Sequence, residues 1–305
     1  MEVYVHLGIH KTGSSFLQKV FFPHYTDNVC FLDRAKLASF KEYVLNEDDF
    51  EFEKTKALEL FNEAVGANQN CNKVVISDEE FYGNPYLAVL DRKRNFDRLY
   101  EIFGKSLKVI LFLRNQQNLL NSLYNQYVKT GGSASFKAFL NYKKYPLNFR
   151  VPYLLYDKYV DYLIKTTGVD KVKIYLYEDF LENKSDVLND MNKFITNKSN
   201  ELLGFSNFDK KVNASLNNGN IPVLRFLNKF TKSLKSPFLL LHINAHKLIR
   251  KLFLNLRFGL SPKRNYILTS LTSIDDVKAS NTRLKKCCTR LELQKYGYLI
   301  LDDVT

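Results

Sequence analysis

Short apolar runs alternate with amphipathic segments along most of the first two hundred residues. Four runs are apolar almost throughout, as strands buried on both faces are: 3–7, 73–77, 107–113 and 172–177. Helical spacing of apolar residues marks the segments that separate or follow them: 14–21, 53–66, 94–103, 119–129, 153–167 and 184–195. Strands that alternate with helices predict an α/β fold, with a central parallel sheet flanked by helices.

Ligands of such sheets bind beyond the carboxyl ends of the strands, and the turn after the first strand has the composition of an anion site. It reads Gly8-Ile-His-Lys-Thr-Gly-Ser-Ser and opens a helix, whose free backbone N–H groups and dipole favour phosphate. Gly13 permits close approach of the backbone, and Ser14 and Ser15 add hydroxyl donors. We therefore expect this turn to bind phosphate.

The spacing from Gly8 to Gly13 is that of a nucleoside triphosphate P-loop, but one defining residue differs. Ser14 stands where a P-loop has lysine, and the only lysine of the turn is Lys11. Asp78 is the one clear candidate for a magnesium-binding acid after a strand. A P-loop-type kinase or nucleotidase stays as an alternative that this pattern disfavours.

A second anion-binding element follows the third apolar run. Arg114 ends that run, and Ser122 lies eight residues later on the next predicted helix. The arginine can form charge-assisted fork bonds with a phosphate, and the serine can donate one more hydrogen bond. Together with the first turn, the pair predicts a ligand that carries two phosphates.

These residues resemble the binding elements of sulfotransferases that use 3′-phosphoadenosine 5′-phosphosulfate (PAPS), particularly the bacterial carbohydrate-modifying type. The stretch from His6 to Gln18 is similar to the 5′-phosphosulfate loop of that family. Arg114 and Ser122 match its 3′-phosphate element in order and spacing. The similarity extends to Ser122-Leu-Tyr-Asn-Gln-Tyr, Tyr177-Glu-Asp-Phe and Tyr296-Gly-Tyr, and Ser14-Ser15 replaces the commoner pair of threonines.

The resemblance implies a P-loop-like fold around the parallel sheet, and a role for each matching residue. Lys11 would contact the phosphosulfate bridge, and Lys11, Thr12, Gly13, Ser14 and Ser15 would hold the 5′-phosphate. Arg114 and Ser122 would hold the 3′-phosphate. The implied reaction is in-line transfer of a sulfuryl group from PAPS to a hydroxyl of a carbohydrate or glycolipid acceptor, and it needs no metal.

The acceptor hydroxyl needs a base, and the acids after the second apolar run lie at the same sheet edge. The resemblance favours Glu79, because related carbohydrate sulfotransferases have a glutamate at this place. Glu80 is the second choice, and His10 is a rival because imidazole titrates near neutrality. The acids can equally be a solvated helix start that the helix dipole favours.

Positive charge is concentrated in one segment of the chain. The net charge is +13, and residues 210–274 contain twelve Lys and Arg and no acid. Within it, 238–260 has the spacing of a basic amphipathic helix. Two interpretations stay open, namely packing on the domain with a solvated basic face, or peripheral contact with an anionic membrane. A non-enzymatic protein that binds polyanions or membrane surfaces is therefore a further alternative. The sequence contains no known nucleic-acid-binding motif, so no nucleic acid is expected as a partner.

The expected organisation has three parts: a PAPS-binding core at 1–205, a basic and largely helical insertion at 206–274, and a C-terminal helix at 275–305 that returns to the core. The four cysteines lack metal-ligand spacing, and a disulfide framework is not expected. His242 and His246 lie four apart with no evident third ligand. With no signal pattern at the N-terminus, we expect a cytoplasmic protein, and contact with the inner membrane surface stays open as one interpretation of the basic segment.

Overall fold

The fold was analysed in a computed structural model, which describes residues 1–25, 28–66, 71–86, 89–141, 149–198, 221–230 and 274–301. The helix predicted over 238–260, with His242 and His246, and most of the predicted insertion at 206–274 lie outside these residues. Within the described residues, no helix is both long and apolar enough to cross a membrane.

A five-stranded parallel sheet forms the centre, as the apolar runs predict. Its strands are β1 Glu2–Gly8, β2 Val29–Leu32, β3 Lys73–Ser77, β4 Leu107–Leu113 and β5 Val172–Leu176, in the spatial order β2-β3-β1-β4-β5. All neighbouring strands run parallel, and β1 is central because Val5 pairs with Ile76 on one side and with Val109 on the other. Their carboxyl ends therefore meet at one edge of the sheet, where ligands bind in such folds.

Helices connect the strands. They are α1 Ser14–Phe16, continued by a π-helical turn Leu17–Phe21, then α2 Ala38–Asn46, α3 Lys54–Val65, α4 Arg92–Phe103, α5 Gln116–Lys129, α6 Phe136–Phe139, α7 Asp157–Thr167, α8 Tyr177–Glu182, α9 Lys184–Thr196, α10 Ile221–Leu227 and α11 Ile274–Cys287. Short 3₁₀ turns lie at Phe22–His24, Glu79–Tyr82, Gly104–Ser106, Val151–Leu154, Val169–Lys171 and Asn228–Phe230.

Two apolar layers cover the sheet, one on each face. Alternate residues of β1 show this division, because Val3, Val5 and Leu7 pack in one cluster while Tyr4 packs in the other. The second cluster includes Phe16 and other residues of the segment that follows residues 9–13, the predicted phosphate-binding loop, here called the phosphate loop. The position of that loop is thereby fixed by the core.

Cysteine pairing differs from the expectation of no disulfide. Cys30, in β2, and Cys71, two residues ahead of β3, form a disulfide with their Cα atoms 5.8 Å apart. The parallel pairing of β2 with β3 brings the two cysteines together, although 41 positions separate them in sequence. Sequence spacing alone does not reveal such a contact. Cys287 and Cys288 are free thiols.

We predict that this disulfide contributes substantially to stability. Closing a loop of this length in the unfolded chain contributes about 4 kcal/mol in the chain-entropy model. Cys71→Ala should lower the free energy of unfolding by about 2–4 kcal/mol in denaturant titration, whereas Cys287→Ala should change it little. Titration of thiols in the unfolded, unreduced protein should give two; a result of four would show that the disulfide is absent.

Candidate active site

The loop between β1 and α1 is held by its own hydrogen bonds. The hydroxyl of Thr12, which is fully buried, donates to the carbonyl of Ile9 at 2.5 Å. Gly13 has a left-handed backbone (φ 87°), and its carbonyl accepts from the amide of Phe16 at 2.8 Å. The chain can therefore turn directly from the strand into the helix, which leaves the first amides of α1 at the sheet edge.

Lys11 has an unusual backbone within this loop. Its φ of 71° is left-handed, a conformation that costs a residue with a side chain about 1–2 kcal/mol. Its ammonium donates to the side-chain oxygen of Gln126 at 3.0 Å. Burial lowers the pKa of Lys11, nearby Lys129 and Arg114 lower it further, and Glu79 opposes these effects. The loop thus holds a partly desolvated cation at the end of β1.

Ser14 and Gly8 form a tight contact at the base of the loop. Ser14 is buried, and its hydroxyl oxygen has no hydrogen-bond partner among the described residues. A Cβ atom added at Gly8 would lie 2.4 Å from that oxygen and 3.3 Å from Cγ of Glu79. A side chain at position 8 would therefore require the Ser14 hydroxyl to shift. Ser15, the next residue of the loop, is half-buried.

Arg114 meets the phosphate loop directly. Its Nη1 donates to the carbonyl of Lys11 at 2.5 Å, and its guanidinium lies over the ring of Tyr177 at 4.7 Å. Its buried Nε has no hydrogen-bond partner among the described residues. Burial lowers the pKa of Arg114, while Tyr177 and Glu178 act in the opposite direction. The structure therefore brings together the two anion-binding elements that the sequence predicts.

Ser122 lies on the helix that follows Arg114, half-buried and one turn before Gln126. Residues four apart share one face of a helix, and Gln126 contacts Lys11. This places Ser122 on the face of α5 that is turned toward the loop. The sequence assigned no role to Gln126, although it lies in the stretch that resembles the family's helix and four residues after Ser122.

The three acids after β3 have different surroundings. Asp78 is buried and caps the 3₁₀ turn by accepting from the amide of Glu80 at 2.9 Å. The Glu79 side chain is 15% exposed and forms an ion pair with Arg34. The Glu80 side chain is 43% exposed and pairs with Lys41 at 2.9 Å. Glu79 is thus the one that lies against Gly8 and near Lys11.

His10, the rival base, is tied to a buried tyrosine. Its ring Nδ1 lies 3.2 Å from the hydroxyl of Tyr153, and its backbone amide donates to the same oxygen at 3.3 Å. Its ring also makes an edge-on contact with Tyr86. These contacts favour a bracing role for His10.

Residues 296–298 contact the residue that follows Arg114. The side-chain amide of Asn115 donates to the carbonyls of Tyr296 and Gly297, at 3.1 and 2.7 Å. Glu178 accepts from the backbone amide of Asn115 and from the hydroxyl of Tyr298, and burial raises the pKa of Glu178. The sequence did not assign roles to these residues, which meet only because of the fold.

The donor set of the site fits a ligand with two phosphates. Lys11 and Arg114 supply positive charge, while Ser14 Oγ and Arg114 Nε are buried donors without partners in the described part of the chain. Buried polar groups are normally hydrogen-bonded, so such donors indicate a polar ligand. Among the described residues, no group of three or more His, Cys, Asp or Glu side chains is arranged to hold a metal ion.

Known proteins resemble this chain only weakly. No protein-family model and no curated protein matches it. A sulfotransferase from Alicyclobacillus acidocaldarius is 17% identical, with a TM-score of 0.46, over 64% of this chain and 81% of that one. A mouse sulfotransferase complexed with PAP is 11% identical, with a TM-score of 0.43, over 97% of this chain and 89% of that one.

Proposed function

We propose that the protein is a PAPS-dependent sulfotransferase that acts on a hydroxyl of a carbohydrate acceptor. One observation carries the proposal: Arg114 donates to the carbonyl of Lys11, so two anion-binding elements meet at the carboxyl edge of one parallel sheet. The loop has Ser14 where a nucleoside triphosphate P-loop has lysine, which disfavours a kinase. A ligand with phosphates at two separate positions matches this arrangement.

The matching residues define the proposed binding site. Lys11, Thr12, Gly13, Ser14 and Ser15 would hold the 5′-phosphate, through backbone amides, hydroxyls and one ammonium. Arg114 and Ser122 would hold the 3′-phosphate. PAPS supplies the sulfuryl group. No metal is required by this donor set, because Lys11 and Arg114 provide the positive charge.

The protein contributes charge and position to the transfer. The Lys11 ammonium is partly buried, so it stabilises negative charge on a leaving phosphate oxygen more strongly than a solvated amine would. Glu79 accepts the proton of the attacking hydroxyl, for which its place beside Gly8 and near Lys11 is suitable. In-line geometry then depends on how firmly the loop and Glu79 are held.

The experiment that tests the function is a transfer assay with sulfur-labelled PAPS. Acceptors should include oligosaccharides, a glycolipid and simple alcohols, each with and without magnesium. Label on an oligosaccharide or the glycolipid, independent of magnesium, is the expected result. Magnesium-dependent hydrolysis of ATP without sulfate transfer would contradict the proposal and favour the kinase or nucleotidase alternative.

We predict that Arg114→Ala weakens binding of adenosine 3′,5′-bisphosphate by about 10- to 100-fold, because a charge-assisted contact contributes about 1.5–3 kcal/mol. Adenosine 5′-monophosphate lacks the 3′-phosphate, so its binding should fall only by the smaller part, about threefold, that comes from losing the bond between Arg114 and the Lys11 carbonyl. Calorimetric titration of both nucleotides measures the two effects. Equal losses for both would show that Arg114 acts through the loop and not on the 3′-phosphate.

A further inference from the structure

A chain of hydrogen bonds joins three polar side chains, of which His6 and Ser77 are buried and Gln18 is half-buried. His6 lies in β1, Ser77 ends β3, and Gln18 lies in the helical turn after α1. His6 Nδ1 is 2.7 Å from Ser77 Oγ, and the Gln18 side-chain nitrogen donates to Ser77 Oγ at 3.1 Å and to the Ser77 carbonyl at 3.2 Å. We call these three residues the His6 network.

Stability alone gives no reason for polar residues at this place. His6 is fully buried, and its ring contacts those of Phe22 and Phe112 edge-on, at 5.7 Å between centroids in each case. Buried polar groups are costly unless fully hydrogen-bonded, and apolar side chains would fill such a site without that cost. His6 Nε2 is in fact buried without a partner among the described residues. A role other than packing is therefore indicated.

The donor and the acceptor can be assigned at the Gln18 end of the network. The Ser77 carbonyl can only accept, so the Gln18 amide presents its nitrogen, which also donates to the Ser77 hydroxyl oxygen. The Ser77 hydroxyl has one proton and a further lone pair, so it donates to His6 Nδ1 or accepts from it according to the tautomer of the imidazole. Burial lowers the pKa of His6 to about 3, so the ring stays neutral in the working pH range.

The network connects the two halves of the proposed reaction site. Ser77 directly precedes Asp78 and Glu79, and it pairs with His6 in the register of the sheet. A Cβ atom at Gly8 would lie within 3.3 Å of atoms from His6, Ser14 and Glu79. The His6 imidazole therefore lies close to Ser14, a predicted phosphate-binding residue, and to Glu79, the candidate base.

We propose that His6, Ser77 and Gln18 are positioning residues that fix the segment carrying Glu79 relative to the phosphate loop. The expected effect on catalysis rests on the proposed function. The loop itself is held by other bonds, from Thr12 to Ile9 and from Arg114 to Lys11. Loss of the network should therefore impair turnover while nucleotide binding persists.

The test compares two network variants with a matched control. Ser77→Ala removes the central hydroxyl, and Gln18→Leu removes the donor to the Ser77 carbonyl. Ser280→Ala is the control, because Ser280 is also fully buried and its hydroxyl also joins two partners, the Asp157 carboxylate at 2.6 Å and the Tyr156 amide at 3.1 Å. The His6→Asn variant keeps a polar atom near the position of Nδ1 and should retain most of the activity.

Hydrogen exchange and kinetics are both measured. In Ser77→Ala and Gln18→Leu, amides of residues 78–82 should exchange roughly tenfold faster, and those residues should be unaffected in Ser280→Ala. Turnover should fall about 10- to 100-fold in the network variants, because small misplacements of reacting groups have effects of that size. The dissociation constant of adenosine 3′,5′-bisphosphate should change less than about threefold.

The outcomes separate the inference from the proposed function. Unchanged exchange at 78–82 in Ser77→Ala, or an equal fall in turnover in Ser280→Ala, would overturn the positioning role. The wild type could also transfer no sulfuryl group while residues 78–82 still exchange faster in Ser77→Ala. That result would support the coupling of the Glu79 segment to the phosphate loop and contradict the proposed function. A double variant should lose no more turnover than the larger single loss, because both changes break the same connection.

Discussion

Replacing Lys11 with alanine should abolish sulfuryl transfer, with turnover reduced by about 10²- to 10³-fold or more. The ammonium lies at the end of β1, partly buried and bonded to Gln126, where it stabilises charge that appears only during transfer. Interactions made mainly in the transition state change turnover more than affinity. The nucleotide dissociation constant should therefore rise by about tenfold or less, as measured by calorimetry beside the transfer assay.

A matched variant separates the role of Lys11 from a general effect of charge. Lys129 ends α5 and is close enough to lower the pKa of Lys11. Lys129→Ala removes the same charge from the neighbourhood and leaves the loop intact. Turnover of Lys129→Ala should stay within about threefold of wild type. If Lys11→Ala and Lys129→Ala have equal turnover, the catalytic role of Lys11 is excluded.

Glu79→Gln should reduce turnover by about 10²- to 10⁴-fold and leave nucleotide affinity nearly unchanged. Glutamine keeps the shape of the side chain and its contact with Arg34, but it cannot take a proton from the acceptor hydroxyl. The measurement is turnover at saturating donor and acceptor, together with the affinity for adenosine 3′,5′-bisphosphate.

Glu80→Gln makes the same chemical change one residue later. The Glu80 carboxylate is directed to Lys41, so its loss should change turnover little. A large loss in Glu80→Gln with near-normal Glu79→Gln would transfer the role to Glu80. Near-normal turnover in both variants would point to His10, despite its contacts with Tyr153.

The sheet was largely predictable because buried parallel strands are apolar on both faces. Predicted strands 3–7, 73–77, 107–113 and 172–177 agree with β1, β3, β4 and β5 to within one residue at each end. The strand β2, Val29-Cys-Phe-Leu, is apolar too, but its four residues are too short a run to mark a strand, and the prediction missed it. The helix α2 was also absent from the prediction.

Helix boundaries were less predictable than strands. The predicted helix at 14–21 is a short α-helix continued by a π-helical turn, a distinction that periodicity cannot make. The helix predicted from 153 begins at Asp157, because residues 151–154 form a 3₁₀ turn with a proline. Local propensity does not determine these details, which depend on packing.

The anion-binding elements were predictable from one rule, and their partners were not. Residues that follow parallel strands gather at one edge, so Lys11 and Arg114 could be expected to approach each other. Their contacts with Gln126 and Tyr177, and that of Glu79 with Arg34, join elements far apart in sequence. The disulfide between Cys30 and Cys71 has the same origin. Such pairs become visible only when the strand order is known.

The most direct test of the central claim is calorimetric titration of the wild-type protein with adenosine 3′,5′-bisphosphate, adenosine 5′-monophosphate and ATP with magnesium. Two phosphate-binding elements at one sheet edge predict that the bisphosphate binds at least about tenfold more tightly than the monophosphate, since the 3′-phosphate gains charge-assisted contacts. The same difference should disappear in Arg114→Ala. Absence of binding by the bisphosphate, or tighter binding of magnesium–ATP, would contradict the account.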